Sequence, residues 1–134
     1  MFEHQIRFRV LYSDTDKMGY MYYGQYAKYL EVGRVEALRS LGLSYKSMED
    51  TGVMLPVLDL KLKYLKPLYY DDEVTLTTKV CNMPGTRIYF EYELKNPEGE
   101  LTTLAKTTLV FIDINSKPCM IPENFKSKII TYFP

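Results

Sequence analysis

Tyr12-Ser13-Asp14-Thr15-Asp16-Lys17-Met18-Gly19, followed by the tyrosine-rich run Tyr20-Met21-Tyr22-Tyr23-Gly24-Gln25-Tyr26, is the stretch on which the reading of this chain turns. Two carboxylates sit one residue apart where a first strand stops, Gly19 follows the second by three residues, and a helical pattern starts at about Tyr22. Asp16 is therefore expected in a loop facing a helix N-terminus, where unpaired backbone N–H groups and the helix dipole favour negative charge. A carboxylate opposite preorganised N–H donors suits attack on a carbonyl: one part supplies the base or nucleophile and the other holds the oxyanion.

Upstream of this stretch, Gln5 to Tyr12 alternates, with Ile6, Phe8 and Val10 on one face and Arg7, Arg9 and Leu11 on the other. Period two predicts a half-buried strand. Downstream, Tyr22 to Leu41 reads as one long helix. Tyr22, Tyr26, Tyr29, Leu30, Gly33, Ala37, Leu38 and Leu41 form one apolar stripe at i, i+3, i+4 steps. Gly33 in mid-helix costs roughly 1 kcal/mol against Ala, a cost that close approach of the helix to a sheet would offset. Gly42 is a C-terminal stop. Ser44 to Thr51 predicts a short second helix capped by Ser44.

Strand patterns return from Val53. Leu58, Leu60, Leu62 and Tyr64 share one face, with Asp59, Lys61 and Lys63 on the other. Glu73 to Met83 is the next strand, and Pro84-Gly85 a turn. Arg87 to Lys95 places Ile88, Phe90, Tyr92 and Leu94 inward; Asn96-Pro97-Glu98-Gly99 turns the chain again. Leu101 to Ile114 is a long last strand whose apolar end (Leu109, Val110, Phe111, Ile112) predicts a central or covered position. Pro122 to Phe133 predicts an amphipathic tail helix. One strand, one long helix, then four strands with tight turns is the order of an α+β domain with a mainly antiparallel sheet, spanning residues 1–134. Such a sheet leaves one edge and the helix N-terminus open, so pairing of two copies, as a homodimer or homotetramer, is expected.

Hydrophobic residues make up 46% of the chain, enough for a packed core. Lys plus Arg and Asp plus Glu are 17 each, and a formal net charge of zero argues against a broad grip on nucleic acid or an anionic membrane. No apolar run reaches membrane-span length and Met1 to Arg7 lacks a signal-peptide core, so a cytoplasmic location is expected. Cys81 and Cys119 have no metal-ligand spacing and are expected to be reduced packing residues. His4 is the one histidine. A Ser-His-Asp triad would have to use it, and a zinc site would need it with both distant cysteines. The base of an enzyme here is therefore expected to be a carboxylate.

The run Tyr12 to Glu31 closely resembles the signature of the hotdog-fold acyl-CoA thioesterases, in the branch holding 4-hydroxybenzoyl-CoA thioesterase and the Tol-Pal-associated bacterial thioesterases. Asp14, Thr15, Asp16, Gly19 and Tyr26 match that pattern. Leu65-Lys66-Pro67-Leu68-Tyr69-Tyr70-Asp71-Asp72-Glu73-Val74 is similar to the family element before the third strand, and the element order agrees over nearly the whole chain. The resemblance implies a hotdog fold: a curved, antiparallel five-stranded sheet wrapped around one long helix, with active sites at a dimer interface. It implies hydrolysis of acyl-CoA thioesters, with Asp16 as the catalytic carboxylate and the Tyr23 backbone N–H polarising the carbonyl. Gly19 would allow the tight turn, Tyr26 would line the substrate site, and Arg87 is the first candidate for the CoA phosphates, with Lys66, Lys61 and Lys63 behind it. No cofactor is implied beyond CoA as part of the substrate, and acyl carrier protein is a second possible acyl donor. Many Tol-Pal-type members carry His where this chain has Tyr23, whereas 4-hydroxybenzoyl-type members carry Tyr; a backbone donor survives either.

Each residue also has a plainer reading. Asp is common in turns, and Asp14 is expected to be structural, accepting backbone N–H groups while the loop points it away from Asp16. Tyr22, Tyr26 and Tyr29 at helical spacing read first as core. Glu31 could be a second carboxylate aimed at the site, but a solvated pair with Lys28 or Arg34 is the ordinary expectation. Three other functions stay open: a non-catalytic module that binds acyl-CoA or acyl carrier protein, a hotdog hydratase that would need His4, and a structural partner of an envelope complex.

Overall fold

The alternation along the chain becomes five strands in one sheet. The computed structural model describes residues 1–134. Strand β1 is Phe2–Arg9, β2 Val57–Tyr64, β3 Glu73–Val80, β4 Arg87–Lys95 and β5 Leu101–Val110; the helices are α1 (Tyr26–Ser40), α2 (Tyr45–Asp50) and α3 (Glu123–Ile129). The strands lie in the order β1-β3-β4-β5-β2 with every neighbouring pair antiparallel. This is the α+β architecture expected, five antiparallel strands with one long helix. In β4, Ile88, Phe90, Tyr92 and Leu94 are all buried on the helix side.

Several boundaries move. β1 begins at Phe2, not Gln5, and ends at Arg9; Val10 still trades bonds with Asp71 and Asp72, and Tyr12–Asp14 closes into a 3-10 turn. β3 stops at Val80, and β5 at Val110, after which Ile112 makes isolated bridges to Met54 and Pro118. The long helix starts at Tyr26, four residues later than the stripe suggested. Tyr22 is extended (φ −64°, ψ 135°) because its N–H donates to the Asp14 carbonyl, and Tyr23–Gln25 form a 3-10 turn. Gly24 fits this turn: a Cβ there would lie 2.6 Å from the Tyr22 ring.

Helix α1 buries Tyr26, Tyr29, Leu30, Gly33, Ala37 and Leu38, as the stripe requires, and Arg34 as well. Arg34 is charged yet faces the sheet, donating from Nη1 to the Tyr92 hydroxyl at 3.1 Å, which in turn meets Thr107 Oγ1 at 2.7 Å. Gly33 provides the close approach: a Cβ would stand 2.7 Å from Thr78 Oγ1 and 2.8 Å from Leu76 Cδ2. Ser44 caps α2 by accepting from the Ser47 N–H at 3.0 Å. The tail helix is shorter than expected, and it covers the apolar end of β5 by setting Phe125 edge-on to Phe111 at 5.7 Å. Burying a side chain of that size contributes about 1.5–3 kcal/mol.

Strand β2 departs from its expected half-burial. It is an edge strand, and α1 packs over β1 and β3 at the opposite side of the sheet. Its apolar face is therefore left open at Leu58 and Leu60, which are 48% and 41% exposed.

Candidate active site

Asp16 stands on a miniature hairpin. The Tyr22 N–H donates to the Asp14 carbonyl (2.7 Å), Thr15 bridges Met21, and the Asp16 N–H donates to the Tyr20 carbonyl (3.0 Å). Lys17-Met18-Gly19 makes the turn. Gly19 adopts φ +78°, the left-handed region where a side chain would strain the backbone. Within the turn, Asp16 Oδ1 accepts from the Met18 N–H at 2.9 Å, which fixes the carboxylate without covering it. The hairpin returns the chain directly into the Tyr23–Gln25 turn. At the start of that turn the Tyr23 and Gly24 N–H groups have no acceptor within the chain, as the geometry of a helical N-terminus dictates.

A 300 Å³ cavity joins these parts. Asp16, Tyr23 and Tyr26 form one side, and Tyr64, Lys66 and Pro67, at and beyond the end of β2, form the other. Tyr26 is buried, and burial first of all raises its phenol pKa, so it stays neutral. Tyr64 sits edge-on to Tyr26 at 5.0 Å, and its hydroxyl lies 3.5 Å from the Tyr23 carbonyl. The cavity is thus walled by aromatic rings, and Asp16, with an exposed carboxylate, and Tyr23, whose N–H is unpaired, both line it. A group with a polarisable carbonyl and an apolar or aromatic tail fits such a place.

Asp14 behaves differently from its neighbour. It is 1% exposed. Its carboxylate accepts from the Leu11 N–H (2.9 Å), from Lys28 Nζ (2.8 Å) and from the Tyr29 hydroxyl. Burial pushes its pKa up, but the bonds from Lys28, Tyr29 and Leu11 outweigh that and hold it below the usual carboxylate range. Burial, and then the Asp14 carboxylate itself, push the Tyr29 phenol up. Both groups keep the charge state the network needs. The structural role expected for Asp14 is present, and its reach to two helix side chains was not foreseen.

The model of the thioesterase-like superfamily matches residues 10–129. The chain belongs to this superfamily. The Bacillus subtilis protein YneP is 35% identical to this thioesterase-superfamily chain over 117 residues, covering 87% of it and 85% of YneP. The acyl-CoA thioester hydrolase YbgC of Escherichia coli is 30% identical over 117 residues, covering 87% of each. The crystal structure of a DHNA-CoA thioesterase from Staphylococcus aureus superposes with a TM-score of 0.83 at 34% identity, covering all of this chain and 85% of that one. The hotdog fold implied by the motif is the fold of the chain.

Within this superfamily member, the structure brings Asp16, Tyr23, Tyr26 and Lys66 to one cavity, while Gly19 lines the adjoining hollow with Asp16, Lys17, Tyr12 and Tyr70. Lys66 is also ion-paired to Glu100. Arg87 is not at this site in the same protomer. It opens β4 opposite Val110, whereas the end of the sheet near Asp16 carries Lys95 and Leu101. Lys61 and Lys63 line a separate 370 Å³ hollow on the outer sheet face, where Lys79 pairs with Glu93 and Lys106 with Glu91. The expected partners of Glu31 are engaged elsewhere, Lys28 by Asp14 and Arg34 by Tyr92. His4 sits in β1 opposite Thr78, away from the cavity. Lys66 and Pro67 lie in the family-like element read from the sequence, but nothing local shows that the end of β2, with Tyr64, folds back over the Tyr23 turn.

Proposed function

We propose that this chain hydrolyses acyl-CoA thioesters to a free acid and CoA. Asp16 acts as nucleophile or general base, and the Tyr23 backbone amide polarises the carbonyl. In the first route a carboxylate oxygen of Asp16 attacks the thioester carbon, the C–S bond breaks, CoA leaves as thiolate and water cleaves the acyl-enzyme anhydride. In the second, Asp16 takes a proton from a water that attacks the same carbon, and collapse of the tetrahedral intermediate expels the thiolate. The observation that carries the proposal is a free carboxylate and an unpaired helix-start amide on one 300 Å³ cavity. An oxyanion donor of this kind contributes about 2.7–4 kcal/mol.

Gly19 supplies the turn, and Tyr26 and Lys66 serve the substrate. Arg87 remains a proposed phosphate contact only through a second protomer. CoA enters as part of the substrate, and no other cofactor is proposed. The branch shared by 4-hydroxybenzoyl-CoA and Tol-Pal-associated thioesterases is the finer placement, supported by Asp14-Thr15-Asp16 and Gly19, with Tyr23 favouring the former. A cytoplasmic location accompanies it, supported by two free cysteines.

The proposal includes a homodimer built on the free edge of β2. Antiparallel pairing of two such strands about Leu60 would set Asp59 of each copy opposite Lys61 of the other and cover Leu58 and Leu60. This self-complementarity supports a second copy as the occupant of the edge.

The test is a panel of acyl-CoA substrates read by thiol release. Asp16→Asn is expected to keep the fold and lose about 10²–10⁴-fold in turnover. Wild-type hydrolysis by that variant refutes the role of Asp16. A wild-type protein that binds acyl-CoA or acyl carrier protein without turnover establishes the binding-module alternative instead.

A further inference from the structure

We infer that Asp14, held by Lys28 and Tyr29, is a positioning residue that sets the Asp16 carboxylate against the Tyr23 amide. The inference rests on the catalytic reading of those two groups. Asp16 lies in one arm of the 14–22 hairpin and Tyr23 directly follows the other, and Asp14 belongs to the rung that closes it: its carbonyl accepts the Tyr22 N–H at 2.7 Å. Its side chain, two residues from Asp16, is 1% exposed and takes three donors. A loop carboxylate serving only its own turn would need just the Leu11 N–H. The other two donors come from the first turn of α1, so one residue ties the end of β1, the hairpin and the helix together.

The helix side of the clamp is itself braced. The Tyr29 ring stacks on Phe8 of β1 at 3.9 Å with a 10° interplanar angle, and Lys28 Nζ lies 4.7 Å from the centre of the same ring. The Tyr29 hydroxyl therefore has little room to follow Asp14 if the loop moves. Lys28 is half exposed, and the buried carboxylate is its ion-pair partner. In Asp14→Asn the carbonyl oxygen can keep the Leu11 and Tyr29 donors that meet Oδ2, but the NH₂ that replaces Oδ1 faces the Lys28 ammonium. The rung next to Tyr22 then loses its anchor, and the separation of base and oxyanion donor is no longer fixed. Displacement of a catalytic group by about 1 Å costs on the order of 10²-fold in rate.

The experiment compares steady-state hydrolysis of acyl-CoA by the full chain and by Asp14→Asn, Tyr29→Phe, Lys28→Met and Lys28→Arg, with rates taken per folded molecule and Tm measured alongside. The expected result for Asp14→Asn is kcat lower by about 10²-fold with KM near wild type. Tyr29→Phe and Lys28→Met also lower kcat, and Lys28→Arg, which keeps the ion pair, recovers most of what Lys28→Met loses. A purely structural clamp gives lower Tm with kcat per folded molecule intact, and that outcome overturns the inference. If Asp14→Asn does not fold, Tyr29→Phe and Lys28→Met decide the question by the same criterion. Asp16→Asn separates the two levels. An inactive Asp16→Asn beside wild-type kcat in the clamp variants removes only the positioning role, whereas an active Asp16→Asn removes the catalytic reading beneath it.

Discussion

Gly33→Ala tests how tightly the helix is seated on the sheet. Two effects oppose each other. Removing a glycine from mid-helix favours the helix by about 0.8–1.0 kcal/mol. Against that, the new Cβ would stand 2.7 Å from Thr78 Oγ1 and 2.8 Å from Leu76 Cδ2, roughly 1 Å inside the optimum of about 3.5–4.0 Å. Neither neighbour can swing aside, since both are buried. Overpacking of this kind costs about 1–3 kcal/mol, and two simultaneous contacts place it in the upper part of that range. The net effect is a destabilisation of about 1–2 kcal/mol, a fall in Tm of about 4–8 °C for a domain of this size. Thermal unfolding followed by circular dichroism at fixed protein concentration reads it. Adding Thr78→Ala removes one of the clashing atoms, so the double variant should be more stable than the sum of the singles by about 0.5 kcal/mol or more. A Gly33→Ala protein with Tm at or above wild type would refute the reasoning, because propensity alone would then decide the position.

Three further outcomes follow from the same geometry. Leu60→Glu puts like charges at the centre of the proposed β2 pairing, so light scattering should show the 15.7 kDa monomer with thioesterase activity reduced; an unchanged dimer refutes the pairing. The folded pKa of Asp14 is lowered, so the stability it contributes is fully present above its unfolded value of about 3.9 and is lost as pH falls through the folded value. Asp14→Asn should therefore show a shallower loss of stability than wild type as pH falls below about 4 in acid-unfolding curves; parallel curves would contradict the assignment. Ser44→Ala removes the cap of α2 and should cost about 1 kcal/mol in denaturant unfolding, with kcat unchanged because α2 does not line the Asp16 cavity.

The fold was legible wherever one chain supplies both the pattern and its cover. Ile88, Phe90, Tyr92 and Leu94 alternate and are all buried; Gly33 marks a real approach of helix to sheet, and Ser44 caps as its position implies. The helix start was not legible, because the i, i+4, i+7 spacing of Tyr22, Tyr26 and Tyr29 continues the α-helical stripe although Tyr22 is extended and Tyr23–Gln25 form a 3-10 turn. The bond that holds Tyr22 extended reaches back to Asp14, beyond any local pattern. The burial of Arg34 was hidden for a similar reason: its partner Tyr92 lies 58 positions away. At the site, Asp16 and Gly19 could be read from the loop, whereas the Asp14–Lys28–Tyr29 clamp depends on how the loop and the helix meet.

The open edge of β2 and the proposed chemistry are physically linked. The alternation of Leu58, Leu60, Leu62 and Tyr64 is that of a half-buried strand, yet α1 packs closely on it only at Tyr64, edge-on to Tyr26, and Leu58 and Leu60 stay exposed. The pattern makes sense if a second copy provides the cover. The same strand runs directly into the cavity wall: Tyr64 closes on Tyr26 and the Tyr23 carbonyl, and Lys66 and Pro67 follow. An edge strand held on one side only can twist and fray, and motion of β2 would carry that wall away from Asp16. Pairing of the edge would hold the wall in place. Loss of activity in Leu60→Glu would then follow from a loosened cavity, although residue 60 lies outside it.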